Sequence, residues 1–320
     1  MFRVTRVAAI DCGTNSIRLL VADVAPDGSL TDLVRRMEVV RLGQGVDRTG
    51  ELAPEALART LEMTREYAAT IAELGAERVR FVATSATRDA RNRQEFVDGV
   101  REILGVEPEV VAGDEEAELS FAGATSVLGS AYDGPFVVVD LGGGSTEIVL
   151  GTSTPDAAHS MDVGCVRMTE RHLNDDPPSR EQEDGARADV RAALDKAQQT
   201  VDLGQAVTLV GLAGSVTTVT AHALGLPAYD RDKINGAVLP VEEVLAACDS
   251  LVHMTRDERA ALGFMHPGRV DVIAAGALVW SEVVARVRDE VAERGGTLTS
   301  VVTSEHDILD GIALSAAGRG

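Results

Sequence analysis

Two stretches of the chain share one pattern of apolar and polar positions. Val7-Ala-Ala-Ile10 runs into Asp11, then Cys12-Gly13-Thr14-Asn15-Ser16, then an apolar run to Val21 interrupted by Arg18. Phe136-Val-Val-Val139 runs into Asp140, then Leu141-Gly142-Gly143-Gly144-Ser145-Thr146, then Glu147 and the apolar Ile148-Val-Leu150. Each predicts a buried strand, a tight turn of glycine and hydroxyl residues, and a second strand. Pro26-Asp-Gly28 marks a turn and 33–42 a further strand. Leu57, Leu61, Thr64, Ala68 and Ile71 recur at helical spacing, with Pro54 in the first turn and Gly75 at the end. A strand over Arg78–Ala83, a turn over Thr84–Thr87 and a helix through Ile103 follow. Glu107–Ala112 reads as a short strand, and Gly113-Asp114 opens a helix to Leu128.

The second half repeats this alternation. Strands near 136–140 and 146–151 precede a charged segment from Arg167 to Asp202, with a loop at Asn174–Pro178. A buried strand, Ala206–Gly211, leads into Ala213-Gly214-Ser215, and Val301–Ala317 reads as strand then helix. Alternating strands and helices predict an α/β protein with parallel or mixed sheets. The paired hairpins imply two like domains facing each other, closely joined because no flexible linker stands between them.

Composition narrows the chemistry. A chain of 320 residues, 45% of them hydrophobic, can bury the cores of about two domains. Thirty basic against 51 acidic residues give a net charge of −21, which disfavours nucleic acid and anionic membranes as partners. A polyanionic substrate then requires metal ions and a few local arginines. Aromatic content of 3% leaves little for stacking bases. Cys12, Cys165 and Cys248 show no disulfide, zinc or redox spacing, which fits a reducing cytosol. Met1-Phe-Arg leads directly toward the first strand without an apolar leader, and no stretch approaches the roughly 20 apolar residues of a membrane helix. The six histidines lack metal-ligand spacing, and the single Trp280 is expected in the core.

Three consecutive glycines after a buried strand remove every Cβ from the turn, so that successive N–H groups can converge on an anion. Ser145 and Thr146 add hydroxyl donors. Gly13–Ser16 alone is an ordinary turn composition; its pairing with the second turn points to phosphate. Gly214-Ser215 either binds another phosphate or lets a helix pack closely on its strand. Asp140 and Glu147 share a face only if the glycine turn reverses the chain between them. Asp114, Glu115 and Glu116 suit the first turn of a helix through its dipole alone. Arg88, Arg91 and Arg93 form a local basic cluster able to guide a polyanion. No serine sits in a nucleophile elbow, and no cysteine has a basic neighbour that would favour its thiolate.

Taken in order, Asp11–Arg18, Thr84–Arg88, Gly113–Ala117, Asp140–Glu147 and Pro267–Gly276 make the chain resemble the exopolyphosphatase/guanosine pentaphosphate phosphohydrolase (Ppx/GppA) family. The resemblance spans nearly the whole chain and matches the short, two-domain form. It implies two actin-like (ASKHA, ribonuclease H-like) domains, 1–120 plus 305–320 and 121–304, with the active site in the interdomain cleft. It implies Mg2+-dependent hydrolysis of the terminal phosphoanhydride of inorganic polyphosphate. Glu116 is the implied catalytic base, with Glu115 the near alternative. The implied phosphate contacts are Gly13, Thr14, Asn15, Ser16, Arg88, Gly142, Gly143, Gly144, Ser145, Thr146 and Arg269; Gly214 and Ser215, outside those motifs, are further candidates from their turn composition alone. Asp140 and Glu147, with Asp11, are the implied metal ligands. A cytoplasmic homodimer is expected, and a K+ requirement stays open. One departure is that the family's Gly-Leu-Arg-Glu-Gly pattern is replaced by Asp307-Ile308-Leu309-Asp310-Gly311. Three other activities compete: pppGpp 5'-phosphohydrolase, ATP-dependent kinase and non-catalytic polyphosphate sensor. Scarce aromatics and the missing helical extension favour inorganic polyphosphate.

Overall fold

The computed structural model describes residues 4–128 and 131–318; the expected start at Met1-Phe2-Arg3 lies outside them. The backbone divides into two compact units, one of residues 1–126 and 308–320, the other of residues 127–307. The apolar runs of the first form β1 (Thr5–Cys12), β2 (Ser16–Val24), β3 (Leu30–Val39), β4 (Arg78–Ala83) and β5 (Glu109–Val110). Those of the second form β6 (Phe136–Leu141), β7 (Thr146–Gly151), β8 (Pro155–Met161), β9 (Thr208–Leu212), β10 (Val238–Pro240) and β11 (Ser300–Thr303).

The sheets run β3-β2-β1-β4-β5 and β10-β11-β9-β6-β7-β8. Each begins with an antiparallel three-strand meander, β1-β2-β3 or β6-β7-β8, whose first strand also pairs in parallel with a strand from later in the unit, β4 or β9. The two like domains expected from the repeated hairpin are thus two like topologies.

Strand alternation sets the layers of the first unit. Ala8, Ile10 and Cys12 of β1, with Ile17, Leu19 and Val21 of β2, pack under the helices Pro54–Leu74 and Arg93–Leu104. Val7, Ala9, Leu20 and Ala22 face the opposite layer, where Leu119 and the terminal helix Ile308–Gly318 lie. Asp11 and Arg18, one step out of phase with the first set, belong to this second face. In the second unit Val137, Val139, Ile148 and Leu150 point into the large core that includes Trp280. Asp140 and Glu147 therefore occupy the other face.

Two local expectations are corrected. The buried stripe of the helix Pro54–Leu74 is Ala56, Thr60, Thr64, Tyr67 and Ile71, with Leu57 and Leu61 only partly covered. The threonines are buried because Thr60 and Thr64 donate their hydroxyls to the carbonyls of Ala56 and Thr60, one turn back. The helix expected through Ile103 is two helices, Ser85–Asp89 and Arg93–Leu104. Asn92 interrupts it by bonding the backbone of Leu52 with both ends of its amide. Among the described residues no helix is long and apolar enough to cross a membrane.

Candidate active site

In the first unit β1 turns back into β2 with Asp11 opposite Arg18. Gly13 N–H donates to the Ser16 carbonyl across the turn at 2.9 Å. The Thr14 carbonyl accepts from Gly43 N–H, and the Asn15 carbonyl from the N–H groups of Val40 and Arg41. With those carbonyls tied back, the N–H groups of Thr14 and Asn15 donate to no protein group among the described residues. The Thr14 hydroxyl shares a 2.8 Å hydrogen bond with that of Ser85. Asn15 Oδ1 and Thr87 Oγ1 are buried and meet no hydrogen-bonding partner among the described residues. Asp11 Oδ2 accepts from Nε and Nη2 of Arg18 at 2.8 and 2.7 Å, so this carboxylate already has a cation from its own hairpin.

β4 runs parallel to β1, with Cys12 paired to Ala83, and delivers Thr84–Arg88 to the same end of the sheet. Arg88 Nη1 donates to the Val111 carbonyl at 3.0 Å and to Glu116 Oε2 at 3.1 Å. Glu116 is almost fully buried. Consecutive residues on a helix point about 100° apart, and the two candidate bases part accordingly. Glu115 is half exposed and binds Arg80, which also holds Glu109. Of the two acids it is Glu116 that meets Arg88. Its helix, Gly113–Leu128, is fixed from behind by Gly311 of the terminal helix, where a Cβ would stand 2.0 Å from the Leu119 carbonyl oxygen. Arg91 turns elsewhere, to Glu51 and the Thr49 carbonyl.

The second unit builds the same turn. Gly142 N–H donates to the Ser145 carbonyl at 3.0 Å. The carbonyls of Gly142 and Gly143 accept from the first N–H groups of the helix Cys165–His172, and Arg167 Nε donates to the Gly144 carbonyl at 2.6 Å. The N–H groups of Gly143, Gly144 and Ser145 are left without protein acceptors among the described residues. Asp140 and Glu147 are register partners on one face, so the glycine turn does reverse the chain between them. The Thr146 hydroxyl instead donates to the Val163 carbonyl at 2.6 Å.

The close approach of that helix to the glycine turn needs Gly164, where a Cβ would lie 2.5 Å from the Gly143 carbonyl. Gly164→Ala is expected to push the turn aside, costing roughly 1–3 kcal/mol as for other overpacking changes. Its kcat/KM should fall more than its thermal stability, as side-by-side kinetics and melting would measure.

Ser215 accepts or donates a hydrogen bond with the Cys165 side chain and packs on Gly276. Arg269 occupies the space beside Gly214 and bonds Thr218 Oγ1 at 3.3 Å. Ala213, which joins β9 to the helix Ala213–Ala223, holds a left-handed φ of 69°, a strained conformation for a residue with a Cβ. Gly142, Cys165, Ser215, Gly276, Gly214 and Arg269 thus form one contiguous group. Burial pushes the Cys165 thiol pKa up, and the Ser215 hydroxyl and the Arg269 charge oppose it only in part. Sequence reading missed Gly164, Cys165 and Arg167; their one signal was a glycine opening a helix soon after β8.

Two carboxylates on one strand pair offer hard oxygen donors, the number Mg2+ commonly takes from protein while phosphate and water complete its shell. Among the described residues no group of three or more His, Cys, Asp or Glu side chains is gathered for a metal. Asp140 and Glu147 fit Mg2+ in that way.

Residues 20–315 match the Ppx/GppA phosphatase family. The chain is 53% identical over 322 aligned residues to Exopolyphosphatase 2 of Mycobacterium tuberculosis (strain ATCC 25618 / H37Rv), covering 98% of this chain and 99% of that one. A crystal structure of an exopolyphosphatase-like protein, 51% identical, superposes with a TM-score of 0.95 over 98% of this chain and 97% of its own. The Ppx/GppA family member from Aquifex aeolicus, 28% identical, gives a TM-score of 0.78 over 99% of both chains.

Proposed function

The chain belongs to the Ppx/GppA phosphatase family, and from that premise we propose that it is an exopolyphosphatase, hydrolysing the terminal phosphoanhydride of inorganic polyphosphate to release orthophosphate. One observation carries the reading: both turns have their carbonyls tied back by protein, which leaves N–H groups of Thr14, Asn15, Gly143, Gly144 and Ser145 without protein acceptors among the described residues. Such arrays of backbone N–H groups suit an anion, and on a chain of net charge −21 they supply local donors that the overall charge does not. The full-length similarity to Exopolyphosphatase 2 supports polyphosphate as the substrate class.

In this reading the backbone N–H groups of each turn bind phosphate oxygens of the substrate. Glu116, oriented by Arg88, accepts a proton from the attacking water as it lines up with the leaving oxygen. Arg88 keeps further N–H groups to offer the phosphate. Phosphoryl transfer proceeds through a loose transition state, so positioning and charge stabilisation carry most of the rate. Asp140 and Glu147 would hold Mg2+, which when bound offsets charge on the nonbridging oxygens. Asp11, neutralised by Arg18, fixes the first hairpin.

The test is phosphate release by the purified chain from polyphosphates of short and long length and from pppGpp, with Mg2+ and with chelator. Mg2+-dependent release from polyphosphate with much slower turnover of pppGpp is expected. Faster turnover of pppGpp would assign the alternative substrate, and phosphate chains bound without release would make the protein a sensor. Light scattering on the same sample tests the proposed homodimer.

A further inference from the structure

The register of β6, β7 and β8 sets Asp140, Glu147 and Ser160 in one row across three adjacent strands. Cross-strand partners project from the same face of a sheet, so the serine continues the line of the two acids. Ser160 Oγ donates to Glu147 Oε1 at 2.7 Å. That length is typical of a hydroxyl bonded to an ionised carboxylate, about 2.5–2.7 Å and stronger than a neutral pair.

We propose that Ser160 is a positioning residue for the metal-binding carboxylate of Glu147. The inference rests on the reading above that Glu147 holds Mg2+. Glu147 is only 1% exposed, so little of its carboxylate is open to bulk water, and Ser160 supplies one of its hydrogen bonds. A glutamate has three side-chain torsions, and its terminal torsion is broad and poorly defined by sterics. Binding one carboxylate oxygen to Ser160 fixes the plane of the group and therefore the place of the second oxygen. Mg2+ demands near-ideal octahedral geometry, so a carboxylate free to swing loses affinity for it. Partners of this kind, which touch a ligand residue and not the ion, characteristically alter metal affinity about 10–100-fold when removed.

The experiment measures Mn2+ affinity directly, by electron paramagnetic resonance of the free ion, on the full-length chain without substrate. Wild type, Ser160→Ala, Ser160→Thr and Glu147→Gln are compared. Ser160→Ala is expected to weaken Mn2+ about 10–100-fold, while Ser160→Thr, which keeps the hydroxyl, restores most of the affinity. At saturating Mg2+ the alanine variant should regain most of its kcat, because the defect lies in occupancy. Wild-type affinity in Ser160→Ala, or equal weakening in Ser160→Thr, overturns the proposal. Glu147→Gln separates the two layers. If it binds Mn2+ like wild type, the metal assignment itself fails and Ser160 falls with it. If it loses the ion while Ser160→Ala keeps it, the role of Ser160 alone is rejected.

Discussion

Glu116→Gln should lower kcat by roughly 10²–10⁴-fold, the usual contribution of a positioned general base, and leave KM close to wild type. Glutamine keeps the size of the side chain and an oxygen able to accept from Arg88, so the helix Gly113–Leu128 and the Val111 anchor stay in place. What it loses is the capacity to take a proton. The loss therefore belongs to the transition state and appears in kcat and kcat/KM together. Glu115→Gln provides the matched comparison. It removes one half-exposed carboxylate from the buried Arg80, which retains Glu109 and the Ser315 hydroxyl as partners. Its kcat should stay near wild type. Steady-state phosphate release from polyphosphate by both variants decides between the two acids: a fast Glu116→Gln and a slow Glu115→Gln would reverse the assignment.

The second large effect is on stability. Asp310 is fully buried on the terminal helix, and its two oxygens accept from Nη2 and Nη1 of Arg35 on β3 at 2.6 and 3.2 Å. The pair joins residue 35 to residue 310 and so binds the end of the chain back onto the first sheet. Breaking a buried ion pair by removing one partner typically costs about 3–5 kcal/mol, because the other charge stays behind in a low dielectric. Arg35→Met removes the cation from beside a fully buried carboxylate and should cost within that range. Asp310→Ala should cost less, because Arg35 is one-fifth exposed and keeps its bond to Asp32. The double variant should recover part of the loss, giving a coupling of the kind a double-mutant cycle isolates. Chemical denaturation of the four proteins measures it, and additive single effects would refute the coupling.

That pair bears on the departure seen at Asp307–Gly311. The arginine of the family pattern is replaced by Leu309, which is buried in the core between β1, β2 and the terminal helix. Asp310 and Gly311 keep structural tasks, the first through Arg35 and the second through its contact with the helix that carries Glu116. The segment thus supports the site from behind.

The repeated strand–turn–strand pattern was enough to expect two like α/β sheets and to single out both turns of glycine and hydroxyl residues. Local signals sufficed there because a strand's face follows from alternation and a turn's conformation from its glycines. The limits appear where a side chain's partner lies far along the chain. Asp11 reads like Asp140 in sequence, yet one faces Arg18 and the other Glu147. Thr146 reads like Ser145, yet strand alternation sends its hydroxyl to Val163. Glu115 and Glu116 are equivalent by composition, and the choice between them depends on Arg80 and Arg88, which meet the helix from a strand and from the short helix Ser85–Asp89. Gly164, Cys165, Arg167 and Ser160 gave almost no signal, because their work is to hold other residues. Periodicity encodes which face a residue takes; what waits on that face is decided by strand register and helix packing, which bring together residues tens to hundreds of positions apart.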